Sequence, residues 1–166
     1  KPPKSIYLSL LKGEYIALQS FIVLKKFAAA GFDVDFSTCE DTEYELRLAR
    51  ETKFELIDKP VVNIRRHTGN TAGDDFIRNR IKLYKKELDY LNRNREFPSN
   101  IDNSYARAIC NYHIGNSYYA RGETLTALKH YFSAQQCSLK IFSEQHFLLQ
   151  VVKTITPKYL RKKLKN

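Results

Sequence analysis

The spacing of apolar residues differs between the two halves of this 166-residue chain. From residue 75 to residue 92, apolar side chains recur every three or four positions, the period of a helix that buries one face. Those positions are Ile77, Ile81, Tyr84, Leu88 and Leu91. Helices are also predicted over residues 102–120, 123–138 and 143–155, with a turn between the first two at Arg121 and Gly122. The second half is therefore expected to be entirely helical.

The first half is divided into shorter segments. Helices are predicted over residues 5–11, 25–30 and 40–51. Gly13 and Gly31 favour the ends of the first two, and Ser37 or Thr38 can cap the third. Residues 15–24 are apolar enough for a buried strand, although periodicity alone does not exclude a helix.

Two more short strands are predicted over residues 54–57 and 61–64, on either side of a Pro turn. A loop rich in Thr, Gly, Asn and Asp follows them. We place a domain boundary in this loop. The predicted class is thus α+β, with few short strands plus helices over residues 1–72 and an all-α region over residues 73–166.

Charge is distributed unevenly over the two predicted domains. The net charge is +10, with 11 Lys or Arg against 10 Asp or Glu in residues 1–72 and 17 against 8 in residues 73–166. The basic residues of the second half are scattered over helices and form no known recognition motif, so we predict no nucleic-acid partner. Hydrophobic residues make up 43% of the chain, enough for a core, but no apolar stretch is long enough to span a bilayer.

Cysteine and histidine usage gives no sign of a metal or disulfide framework. The three cysteines, Cys39, Cys110 and Cys137, are odd in number and form no C-x-x-C pair, which is typical of a reducing compartment. We interpret them as small buried apolar residues and predict a cytoplasmic location. The histidines at 113, 130 and 146 show no ligand spacing.

The predicted helix pair at about 102–138 resembles a tetratricopeptide repeat. The matching positions are Ile114, Gly115, Tyr118, Ala127 and Tyr131. Small residues at 115 and 127 would let two helices approach closely, with the two tyrosines between them. Asn111 stands where the repeat has an aromatic residue, so a generic helical hairpin is the alternative. A single repeat cannot bury both of its faces, which predicts that it docks on a neighbour or a protein partner.

Between Phe27 and Leu46 the chain has six carboxylates and no Lys or Arg. Taken alone, Thr38-x-x-Asp41 indicates a capping box, and the other carboxylates indicate a solvated helix face. The neighbouring segments change this interpretation. Ala-Gly-Phe-Asp-Val-Asp-Phe comes first, Glu-Asp at the start of an acidic helix follows, and Arg-Arg-His-Thr-Gly-Asn at 65–70 completes the order.

This ordered set resembles the family 2 glycosyltransferases of the GT-A fold, over about residues 15–72. That family has a Gly-Gly-Phe-Asp-Glu stretch, a Glu-Asp pair before an acidic-aromatic helix, a strand pair and an Arg-x-His-x-x-Asn segment. Only one glycine precedes Phe32 in this chain. The resemblance implies that residues 1–72 are the C-terminal part of a GT-A catalytic domain.

The resemblance also implies roles for the matching residues. Asp41 would be the catalytic general base, with Glu40 as its companion. The acceptor side would be lined by Gly31, Phe32 and Asp33. A divalent metal, Mg or Mn, and the diphosphate would be held by His67, Arg65 and Arg66.

The implied reaction is an inverting transfer of a sugar from a nucleotide-sugar donor to an acceptor hydroxyl. A positioned carboxylate removes the hydroxyl proton during attack, and a metal ion stabilises the leaving diphosphate. The acceptor would be a glycan or a lipid-linked molecule. A glycoside hydrolase is a poorer match, because it needs two carboxylates facing each other across a sugar, whereas Asp41 and Glu45 lie on one helix face.

The family's donor-binding half lies upstream of these motifs. Asp33-Val34-Asp35 has the letters of the family's Asp-x-Asp metal motif but lies too close to Asp41 to be that motif. The chain begins with Lys1 and contains no Met. We therefore expect a fragment of a longer enzyme that is inactive alone. The alternative is a non-catalytic protein-binding module built on the helical repeat.

The last residues are basic, with apolar residues between the cations at 158–165. This pattern is typical of contact with an anionic membrane surface, which would place the protein at the membrane periphery. A frayed, solvated end is the alternative.

Overall fold

The computed structural model describes residues 5–14, 16–55, 57, 59–60, 62–63, 73–94, 101–144 and 146–156. The α-helices in these ranges are α1 Ile6–Leu11, α2 Lys25–Ala28, α3 Glu40–Glu51, α4 Asp74–Arg93, α5 Asn103–Ala120, α6 Thr124–Cys137 and α7 Phe147–Ile155. Two 3₁₀ helices cover Leu18–Ser20 and Leu139–Ser143. The chain divides into two units, Lys1–Asn79 and Arg80–Asn166, at a point within α4.

In the first unit, α1 packs against α3. The hydroxyl of Ser5 caps α1 by accepting a hydrogen bond from the backbone N–H of Leu8. Apolar side chains of both helices form the core of this unit: Tyr7, Leu10, Leu11, Tyr44, Leu46 and Leu48. The predicted helices over 5–11 and 40–51 are therefore confirmed, and the 25–30 helix is shortened to α2.

The predicted α+β class is wrong, because every regular element of the described residues is helical. The segment predicted as a strand over 15–24 contains the 3₁₀ helix at Leu18–Ser20, and Ile22 is 92% exposed. Of the other two predicted strands, the described residues at 54, 55, 57, 62 and 63 form neither helix nor strand. A strand needs backbone partners on a neighbouring strand, and apolar composition does not supply them. The described ranges contain no such neighbour.

In the second unit, α5 and α6 form the predicted helix pair. A Cβ atom built on Gly115 would lie 2.5 Å from Cε1 of Tyr131, so only glycine permits this approach. Ala127 and Tyr131 are buried against α5. Asn111 is also buried, and its Oδ1 lies 3.1 Å from Nδ1 of His130 on α6. This polar contact occupies the position where the tetratricopeptide pattern has an aromatic residue.

The other helices of this unit pack on that pair. On α4, the ring of Tyr84 stacks on His113 of α5 with centroids 4.5 Å apart. On α7, Phe147 is buried and contacts the rings of Tyr112 and Tyr131. Asp102 caps α5 by accepting from the backbone N–H of Tyr105.

Within the described ranges, none of the helices is both long and apolar enough to cross a membrane. The three cysteines are free thiols. Cys110 is fully buried in α5, and burial raises the pKa of its thiol well above the usual value. This agrees with the interpretation of Cys110 as a small buried residue, whereas Cys39 and Cys137 are only partly buried.

Candidate functional site

The glycosyltransferase resemblance singles out two residues at the N-terminus of α3. Glu40 is the first residue of the helix and Asp41 the second. Oδ1 of Asp41 accepts hydrogen bonds from the backbone N–H of Thr42 at 2.7 Å and from its hydroxyl at 3.2 Å. Among the described residues, no hydrogen bond reaches Oδ2 of Asp41. The carboxylate is thus held by one oxygen within the first turn.

The predicted capping box is not formed. The N-cap is Cys39, which has a left-handed φ of 65° and makes no side-chain cap hydrogen bond. The hydroxyls of Ser37 and Thr38 instead accept hydrogen bonds from Nδ2 of Asn79, at 2.8 and 3.0 Å. A non-glycine residue at positive φ stores strain of about 1–3 kcal/mol. The strain is thus located at the junction between the loop and α3.

The predicted acceptor loop is bound to the same helix through Arg47. Nη2 of Arg47 donates to the carbonyl oxygen of Gly31 at 2.7 Å and to Oε2 of Glu43 at 3.0 Å. Gly31 itself has a φ of 60°, which lets its carbonyl turn toward α3 after α2 ends. Loop and helix are thus joined by a charge-assisted hydrogen bond.

An aromatic contact adds to this attachment. The ring of Phe32 lies 5.1 Å from that of Tyr44, between centroids, while about half of Phe32 stays exposed. Oδ1 of Asp33 accepts from the backbone N–H of Asp35, which closes a tight turn in the loop. The structure therefore attaches Gly31 and Phe32 to the helix that carries Asp41, with Asp33 next in the loop.

Glu45 lies one turn after Asp41 and was not predicted as a site residue. Its side chain is buried, and Oε1 has no hydrogen-bond partner. Burial, followed by the charge of Asp41, raises the pKa of Glu45 to about 8. The protonated form of Glu45 is therefore favoured at neutral pH, so the carboxyl one turn after Asp41 is neutral.

Sequence reasoning also missed Arg47 as the residue that joins loop and helix. The signal was present in the four-residue spacing from Glu43 to Arg47, which places opposite charges on one helix face. That spacing could not indicate the bond to Gly31, which is 16 residues away along the chain.

Three further predicted residues, Arg65, Arg66 and His67, lie outside the described residues. Within the described ranges, no group of three His, Cys, Asp or Glu side chains could hold a metal ion. The prediction of a bound Mg or Mn involves His67, which lies outside the described residues, so it stays a prediction.

No protein-family model, curated protein or solved structure matches this chain. The functional assignment consequently rests on the motifs and on the geometry around α3.

The raised pKa of Glu45 predicts how stability depends on pH. The folded protein binds this proton more tightly than the unfolded chain does, so stability should fall as the pH rises from about 4.5 toward 8. The slope due to this residue is at most about 1.4 kcal/mol per pH unit. Glu45→Gln should flatten the pH dependence of the urea midpoint, measured by far-UV circular dichroism.

The matched control is Glu51→Gln, at the exposed end of the same helix. It should retain the wild-type pH dependence. An unchanged slope in Glu45→Gln would show that other groups cause the dependence.

Proposed function

We propose that this chain is the acceptor-side part of an inverting glycosyltransferase, which transfers a sugar from a nucleotide-sugar donor to an acceptor hydroxyl. The observation that carries the proposal is the attachment of the Gly31–Phe32–Asp33 segment to the helix that begins with Glu40 and Asp41. Two of the motifs that resemble the family are thereby attached to one helix, with the loop contacts made at Tyr44 and Arg47. The strained backbone at Cys39 supports the same proposal, because such strain concentrates at functional sites.

In the proposed mechanism, Asp41 acts as the general base. Thr42 holds Oδ1 of this carboxylate, and Oδ2 receives the proton of the acceptor hydroxyl as that oxygen attacks the sugar. Asp41 lies in the first turn of α3, at the positive end of the helix dipole. A neutral Glu45 places no negative charge one turn after the base. One displacement of this kind inverts the anomeric centre.

The half-exposed ring of Phe32 offers an apolar surface on the acceptor side. The ring of Tyr44 packs against the ring of Phe32, and Arg47 binds the loop that carries Phe32 through the carbonyl of Gly31. Fixing an acceptor next to the base converts attack into a reaction within one complex, which lowers the barrier by restricting motion. The acceptor class proposed is a glycan or a lipid-linked molecule.

The donor is proposed to bind mainly to a portion of the protein beyond this chain, so this chain alone should be inactive. The resemblance assigns a divalent metal to His67 and the diphosphate to Arg65 and Arg66. A bound metal would stabilise charge on the leaving diphosphate. We further propose a cytoplasmic location at the membrane periphery.

The test is Asp41→Asn in the complete gene product, whose size an immunoblot would establish. Release of nucleoside diphosphate would be measured with a panel of UDP-, GDP- and dTDP-sugars. Loss of a general base should lower turnover by at least about 100-fold, while donor binding, followed by calorimetry, persists. Glu51→Gln, which removes one carboxylate from the far end of α3, should retain activity. Normal turnover by Asp41→Asn would exclude the proposed role.

A non-catalytic protein-binding module is the second candidate. It is favoured by Leu125 and Phe132, two large apolar residues that α6 leaves exposed. In that case the complete gene product would turn over none of the nucleotide sugars, and Asp41→Asn would alter no property of the protein. The same experiment therefore separates the two candidates.

A further inference from the structure

The last described helix, α7, is apolar on two sides. One side holds it to the second unit through Phe147 and Thr154, which are both buried. The opposite side, called here the outward face, is exposed. Its residues and exposed fractions are Leu148 (55%), Leu149 (56%), Val152 (54%) and Ile155 (61%). At 3.6 residues per turn, these four positions cover about a third of the helix circumference.

The sequence of α7 and of the residues after it is basic. Lys153 is exposed on α7 itself. In sequence, residues 145–166 contain no Asp or Glu and six Lys or Arg: Lys153, Lys158, Arg161, Lys162, Lys163 and Lys165. Residues 157–166 lie outside the described residues and contribute here only their charge.

We propose that the outward face of α7 binds an anionic lipid surface; the cationic sequence that follows the helix is the reason for choosing this ligand. Apolar residues on one helix face combined with Lys and Arg are the pattern of helices that lie in the membrane interface. Clustered Lys and Arg residues that follow such a helix in the sequence are attracted by anionic headgroups. With nine residues, α7 is only about 14 Å long, less than half the hydrocarbon thickness, so it would lie on the surface and not cross it.

The chemistry of the face favours lipid over a protein partner. Protein interfaces are enriched in aromatic residues and depleted in Lys. The exposed residues of the outward face are all aliphatic. The cations in the sequence that follows α7 are mostly Lys. Among the described residues, the rings of Tyr112, Tyr131 and Phe142 contact α7 through Phe147, which lies on its buried side.

This proposal is independent of the glycosyltransferase activity, because its test is binding. Binding of the complete gene product to vesicles would be measured by co-sedimentation. Vesicles of equal parts phosphatidylglycerol and phosphatidylcholine should bind it, and vesicles of phosphatidylcholine alone should not. Added salt should weaken the binding, because it screens the attraction between the cations and the headgroups.

The decisive variant is Leu149→Gln with Val152→Gln. Both side chains are exposed, so the fold should be retained, as far-UV circular dichroism and the urea midpoint would verify. Binding to anionic vesicles should fall by about tenfold or more, since two apolar side chains no longer enter the interface. The matched control, Leu125→Gln with Phe132→Gln, makes a comparable change on α6 and should bind as wild type.

A second measurement does not rely on loss of binding. This chain has no Trp, so Val152→Trp introduces a Trp reporter on α7. Its emission should shift to the blue with anionic vesicles, because the indole enters the interface. Leu125→Trp on α6 should show no shift.

Three results would overturn the proposal. The wild-type protein could fail to bind anionic vesicles. It could bind them equally well with the glutamine pair, which would leave the basic segment as the sole determinant. Sedimentation could instead show a dimer that the glutamine pair dissociates, which would assign the outward face to a second copy of the chain.

Discussion

Replacing Gly115 by alanine is expected to destabilise the second unit by about 2 kcal/mol. The added Cβ would lie 2.5 and 2.7 Å from ring atoms of Tyr131 and 3.2 Å from the backbone oxygen of Ala127. The ring cannot move away freely, since it is buried and its hydroxyl donates to Oδ1 of Asn116 at 2.9 Å. This clash outweighs the gain of about 1 kcal/mol that alanine normally brings to a helix interior.

Thermal unfolding followed by circular dichroism would test this, with an expected decrease of roughly 10 °C for a unit of this size. Gly73→Ala is the control, because among the described residues no atom beyond its chain neighbours lies within 4 Å of the Cβ it would add. Combining Gly115→Ala with Tyr131→Leu should cost less than the sum of the two single changes, since the smaller side chain relieves the contact. Full additivity would mean that the ring is not the obstacle.

Arg47→Ala is expected to destabilise the first unit by about 3 kcal/mol. The substitution removes the guanidinium from the fully buried carboxylate of Glu43 and removes the donor to the carbonyl of Gly31. The Glu43 hydrogen bond is also the main reason why the pKa of Arg47 is raised above its usual value. Losing the charged partner of a buried group is among the larger effects that a single substitution can cause.

Urea unfolding would measure the loss, and trypsin cleavage after Lys25 or Lys26 would report release of the neighbouring loop. Arg78→Ala is the control, because the ion pair of Arg78 with Asp75 is long, at 3.9 Å, and exposed. Arg47→Lys should recover only part of the stability, since an ammonium group cannot bond Glu43 through two nitrogens as Arg47 does. A midpoint for Arg47→Ala equal to that of wild type would show that Glu43 needs no cationic partner.

The helices could be predicted from the sequence because their signals are local. Ser5 and Asp102 cap α1 and α5, and the apolar period fixed α4 to within one residue at each end. The close contact at Gly115 was also expected, because small residues at matching positions let two helices approach. Each of these signals acts over a few residues, so a single sequence contains the whole of it.

The strand predictions were wrong because strand formation depends on non-local contacts. Strand pairing depends on a second segment, often far away in sequence, and residues 15–24 contain no information about it. The apolar residues there led to an expectation of burial, yet Ile22 and Leu24 are exposed. Hydrophobicity indicates a need for a partner without saying whether one is present.

The candidate site was predicted in part. The positions of Glu40 and Asp41 at the start of a helix follow from local signals, and α3 has the predicted bounds. The cap was wrong, because the hydroxyls of Ser37 and Thr38 bond Asn79, which is about 40 residues away. The buried state of Glu45 was also beyond the sequence, since burial of a carboxylate depends on what packs over it.

Because Cys110 is buried in the middle of α5, the rate at which its thiol is chemically modified reports local opening of the second unit. A thiol that is inaccessible and kept protonated by burial reacts with an alkylating reagent only while α5 is transiently separated from its neighbours. The modification rate of Cys110 is therefore a measure of the frequency with which the packed helices separate. The partly exposed Cys137, at the last turn of α6, provides a faster-reacting reference within the same molecule.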